Sequence, residues 1–160
     1  LIKYYGNGKG KPSDANEDEN LFWDQFAEAS LMPTLVLKLV FVIIPSQAPF
    51  FVRPLVQMIT SRVQHTFIDP DLSRKIQFVS DSLSKKDASG RVWFAGGDKD
   101  GNPTSADYQM LFPMEAITSG RMPASMAIPE SIKAWVDWVH SRPAYKRAYE
   151  KGGAYDYAKL

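Results

Sequence analysis

Cysteine is missing altogether from this chain of 160 residues. Disulfides, thiolate zinc sites, iron–sulfur clusters and a cysteine nucleophile are thereby excluded, and a reducing compartment such as the cytoplasm is compatible with it. An excess of charge is missing too. With 19 basic and 18 acidic side chains the formal net charge is +1, no field strong enough to make nucleic acid or an anionic membrane the main partner. No segment alternates with period two, so the pattern calls for no strands, and there is neither an internal repeat nor a low-complexity tract. The two histidines, His65 and His140, are far apart and belong to no H-E-x-x-H pattern, so no metal site is expected. The first residues lack the charged start and long apolar segment of a signal peptide. The most apolar run, residues 31–45, is interrupted by Pro33 and Lys38 and falls short of the roughly 20 residues a bilayer crossing requires. It reads as a buried helix, with no membrane span.

What is present is enough apolar content, 44%, for one well-buried core. Leu1 to Tyr5 reads as the last turn of a helix and Gly6 to Pro12 as a glycine-rich linker. Residues 1–12 are therefore expected to be the end of an upstream element, with residues 13–160 forming one all-α domain of about six helices. Asp14, with Glu17 three residues on, offers an N-cap, and Glu17, Asp18 and Glu19 place negative charge where the helix dipole favours it. Phe22, Phe26, Ala29, Pro33, Val36 and Val40 then recur at steps of four and three, one stripe of a 3.6-residue period, with a bend expected at Pro33. A second stripe runs through Val52, Val56, Ile59, Val63 and Phe67. Asp69-Pro70 supplies an N-cap and first-turn proline for a third, through Leu72, Ile76, Val79 and Leu83, ending at Ser89-Gly90.

Trp93-Phe94-Ala95-Gly96-Gly97-Asp98 is a turn that leads, a few residues later, into Thr104 and Asp107. Thr104 as N-cap with Asp107 three residues on forms a capping box that starts a central, buried helix carrying Tyr108, Leu111 and Phe112, with a kink expected at Pro113. Pro129 opens a fifth helix with Ile132, Trp135, Val136 and Val139 on one face, Trp138 lying nearer its rim. Pro143 opens a short sixth, with Tyr145, Ala148 and Tyr149, stopped by Gly152-Gly153. Tyr155-Asp156-Tyr157 is a tail that could fold over a pocket mouth.

The ordered combination of Phe22-Trp23, Glu28 to Pro33, Pro49 to Pro54, Trp93-Phe94-Ala95-Gly96, Thr104 to Met110 and Arg142-Pro143-Ala144-Tyr145 resembles the helical C-terminal domain of glutathione transferases, most of all the group shared by fungi and bacteria. One departure stands out. Lys99 to Pro103 intervenes between the Ala-Gly-Asp turn and the Thr104 box, and Pro103 stands where the family has an aromatic residue. The resemblance implies a thioredoxin-like N-terminal domain outside this chain, which would bind glutathione as co-substrate and hold its sulfur as thiolate. The helical domain would form the wall for a small hydrophobic electrophile, or serve peroxide reduction, in a cytoplasmic, homodimeric detoxification enzyme. No catalytic residue is expected in this chain.

The substrate-binding candidates are Phe26, Met32, Pro33 and Val36, because the family's first long helix lines the electrophile pocket and soft Met and flat Phe suit varied apolar ligands; the plainer reading of such spacing is core. Ser30 and Tyr108 are candidate hydroxyl donors, or polar members of helix faces. His65 reads as surface, and His140 as a partner of its helix C-terminus. The alternative function is a non-catalytic interaction module, since transferase-like domains also serve as binding platforms.

Overall fold

A computed structural model describes residues 11–13, 16–120, 122–123 and 126–153. Among these residues the fold is all-helical; the one β-type contact is an isolated bridge between Pro12 and Asp98. The expected helix end at Leu1 to Tyr5, the Asp14 cap and the Tyr155 to Tyr157 tail lie outside the described residues.

Two long rods and three shorter helices build the domain. The first rod joins α1 (Glu17–Phe26), a π turn (Ala27–Leu31) and α2 (Met32–Gln47); the second joins α3 (Arg53–Val63), a π turn (Gln64–Ile68) and α4 (Asp69–Lys86). Then come α5 (Ser105–Thr118), α6 (Glu130–Ser141) and α7 (Pro143–Gly152). The continuous helices number five rather than about six among the described residues, because Asp69-Pro70 does not interrupt the second rod.

A proline stands two residues past the end of each π turn. A proline inside a helix removes an N–H and crowds the carbonyl four residues back. For Pro33 that carbonyl belongs to Ala29, and for Pro70 to Thr66; both lie inside the π turns. Each turn closes with an i to i+5 bond, Met32 N–H to the Ala27 carbonyl and Asp69 N–H to the Gln64 carbonyl, and this wider spacing lets the rod run on past the ring.

The π turn also overturns the stripe read along the first rod. Its buried apolar side chains are Trp23, Ala27, Leu31 and Leu35, at steps of four, whereas Phe22, Val36 and Val40 are exposed. A rod that is apolar on several faces does not reveal its inner face by periodicity, and a π turn shifts the register midway. The expected burial of residues 31–45 holds for one face only: Leu31, Thr34, Leu35 and Lys38 are buried, whereas Val36, Leu37, Leu39, Val40, Val42, Ile43 and Ile44 are all exposed. By length and composition Glu17–Gln47 is long and apolar enough to cross a membrane, while its Trp23 to Leu35 face belongs to the domain core. The second stripe is only partly inward, with Ile59 and Phe67 exposed. On α5 the inner face is Ala106, Met110, Met114 and Ile117, with Tyr108 and Phe112 outside.

The stripes of α4 and α6 face the core as their spacing requires: Leu72, Ile76, Val79, Leu83, Ile132, Trp135, Val136 and Val139 are buried. They close around Trp93, Phe94 and Ala95 of the turn, and the Trp135 indole donates to the Val92 carbonyl at 3.0 Å. Gly90 (φ +70°) lies against α6, where a Cβ would stand 2.7 Å from the Ser131 carbonyl oxygen; only glycine fits that approach.

Candidate functional site

The start of α5 gathers polar side chains of α1 and α5 into one network. Thr104 and Asp107 form the capping box: the Thr104 N–H donates to Asp107 Oδ2 at 2.8 Å and its hydroxyl to the same oxygen at 3.0 Å. Asp107 Oδ1 accepts the Phe94 N–H at 2.8 Å, so one buried carboxylate ties the Trp93–Phe94 turn to the central helix. Burial pushes the Asp107 carboxyl up to about 6 against the opposing pull of these bonds. From α1, Asn20 Oδ1 accepts the Ala106 N–H at 3.2 Å and Asn20 Nδ2 donates to Ser105 Oγ at 2.7 Å. Ser105 donates in turn to Asp24 Oδ2 at 2.7 Å. The other oxygen of Asp24 is buried without a partner, and desolvation holds this carboxyl above its ordinary range. Helix α1 is thereby clamped across the N-terminus of α5.

The four substrate-binding candidates lie along the first rod but do not converge. Phe26 stacks on Phe22 at 5.9 Å and meets Phe78 of α4 at 5.5 Å and Trp23 at 5.5 Å. Met32 is half-buried against the core, while Pro33 and Val36 are exposed. Ser30 is half-buried, and its carbonyl accepts from Thr34 and Lys75; Tyr108 is 59% exposed on α5. His65 is exposed as expected and faces Asp69 at 3.3 Å.

A cleft of about 740 Å³ opens elsewhere, between α5, α6 and α7, and its centre went unrecognised in the sequence. Glu115 of α5 is buried, and its Oε1 lies 2.8 Å from His140 Nε2 and accepts the Tyr145 hydroxyl at 2.6 Å; the His140 and Tyr145 rings stack at 4.3 Å. The expectation that His140 serves its own helix end gives way to this tie across three helices. The signal was there: Glu115 is an acid set between apolar Met114 and Ala116. The neighbouring hydroxyls of Thr118 and Ser119 donate to carbonyls of α5, so among the described residues neither is poised as a nucleophile for the His–Glu pair. A second cleft, about 390 Å³, lies between α2 and α3 around Phe41 and Gln64. Neither cleft is lined by Phe26, Met32, Pro33 or Val36. Among the described residues no group of three His, Asp or Glu is placed to hold a metal ion.

No family model matches the chain, and no solved structure matches it. A curated protein does: Glutathione S-transferase 3 of Schizosaccharomyces pombe is 29% identical over 154 residues, which cover 94% of this chain and 59% of that protein. The chain thus spans about three-fifths of the relative's length. It is similar to a glutathione S-transferase along nearly all of its own length, and its all-helical architecture fits the C-terminal domain of such an enzyme.

Proposed function

We propose that this chain forms the electrophile-side half of a glutathione transferase that joins the tripeptide's sulfur to small hydrophobic electrophiles. The observation that carries the reading is the similarity along 94% of the chain to a named transferase, joined to an all-helical fold. In this reading a thioredoxin-like domain outside the chain binds glutathione and supplies the group that holds its thiolate, so no catalytic residue lies here. Phe26, Met32, Pro33 and Val36 contribute the apolar wall opposite it. The exposure of Pro33 and Val36 suits such a role, since a side chain that meets substrate in the assembled site must be uncovered when that site is incomplete. The working form is a cytoplasmic homodimer engaged in detoxification.

The test uses the full-length protein: conjugation of glutathione to a generic aryl electrophile, with peroxide reduction assayed in parallel. Turnover is expected, and Met32→Ala with Val36→Ala should raise the KM for the electrophile while leaving that for glutathione in place. The absence of both activities, with no retention on immobilised glutathione, would replace this reading with that of a non-catalytic interaction module. The exposed apolar side chains of α2 are what favours that second reading.

A further inference from the structure

The near-zero net charge of the whole chain conceals a strongly uneven distribution. From Ala29 to Ile68 there is not one Asp or Glu; the charged side chains are Lys38, Arg53 and Arg62, with His65 the only other titratable group. Lys38 is buried against Asp69, which leaves Arg53 and Arg62 to set the sign of the surface. Arg53 bonds the Ser46 and Ala48 carbonyls at 3.3 and 3.4 Å. These neutral acceptors brace the loop between α2 and α3 without cancelling the guanidinium's charge.

That loop carries the most exposed large apolar side chains of the described residues. Phe50 is 83% exposed and Phe51 71%; Ile43 and Ile44 near the end of α2 and Leu55 in the first turn of α3 are exposed as well. The two rings touch each other edge to face at 5.6 Å, so a pair of phenyl groups crowns a helical hairpin that has cations and no carboxylate.

We propose that the tip of the α2–α3 hairpin docks on an anionic lipid bilayer, with Phe50 and Phe51 entering the headgroup–acyl boundary and Arg53 meeting lipid phosphates and carboxylates. Apolar insertion and electrostatic attraction together make a peripheral anchor. A second copy of the chain is a poorer occupant on charge grounds. A two-fold contact presents the same patch from both sides, and here it would gather the arginines of both copies into one contact with no acid to offset them. The docking is independent of the transferase reading, because it draws on none of the residues assigned to the electrophile wall.

Co-sedimentation of the full chain with vesicles tests this, comparing phosphatidylcholine alone with phosphatidylcholine containing about one-third phosphatidylserine. The chain is expected to pellet with the anionic vesicles, less so as salt rises. Phe50→Ser with Phe51→Ser should weaken that binding at least about ten-fold, with the wild-type melting temperature retained since both rings are exposed. Arg53→Gln, which keeps an amide donor for the loop carbonyls, should weaken binding several-fold on anionic vesicles alone. The proposal is overturned if the wild-type chain stays in the supernatant with both vesicle types, or if the double serine variant binds as well as wild type. It is equally overturned if that variant converts a dimer to a monomer by light scattering while neither form binds lipid, which would make the tip a contact between copies.

Discussion

Asp107 is pulled in two directions at one atom group. Three donors favour its ionised form, and almost complete burial opposes it, with burial prevailing to bring the carboxyl to about 6 from an ordinary 3.8. A folded-state pKa above the unfolded one means that the folded chain holds the proton longer. The resulting stabilisation is present in full below about 3.8 and is lost as pH rises through about 6. Urea unfolding of wild type and Asp107→Asn should therefore show a wild-type advantage that shrinks over this window; an advantage independent of pH would contradict the assignment. Thr104→Ala removes the other half of the box. Loss of a cap should cost about 1 kcal/mol, seen as a lower melting temperature with ligand binding retained in the full-length protein. The three-residue spacing made this box readable in advance. The Phe94 N–H that completes it is 13 positions away, a distance no local pattern spans.

At the scale of elements, the two rods are locked by ions that composition cannot pair. Lys38 Nζ meets Asp69 Oδ1 at 2.6 Å with the lysine side chain only 7% exposed. Beside it Lys75 reaches Asp71 Oδ2 and Thr34 Oγ1, each at 2.6 Å, and its ammonium holds the Asp71 carboxyl below the usual range. Lys38→Met leaves a largely buried carboxylate behind, so it should destabilise by about 3 kcal/mol or more, and Asp69→Leu on top of it should recover most of the loss. Urea unfolding measures both; a single-variant cost no larger than that of a surface change would mean the pair does not lock the rods. In the sequence Lys38 interrupts an apolar run and Asp69 resembles an N-cap. The two side chains meet only across the packed rods, each of which runs past its proline through a π turn.

At the scale of the molecule, apolar surface exceeds what the described helices cover. Val36, Leu37 and Val40 are 49%, 46% and 44% exposed on the first rod, and exposed side chains grouped on one helix mark an association surface. The isolated chain should scatter light as more than one copy, and Val36→Glu with Val40→Glu should return it to a single copy; a wild-type monomer would refute this. Helical class, the turn at Trp93 to Asp98, the box at Thr104 and the inner faces of α4 and α6 were legible in advance, because each rests on short-range spacing with polar contrast on the other side. The first rod and the Glu115 tie were not. One lacks polar contrast, and the other joins groups 25 and 30 residues apart.

Residue order alone determined that the chain is helical, where its punctuation falls and which helices have a single apolar face, since these follow from backbone preferences acting over one or two turns. Tertiary structure decided which side of the first rod is inside, which charges pair, and that Phe50 and Phe51 are left outside. Those outcomes depend on what each face meets across space, and the meeting partners are set by the fold as a whole.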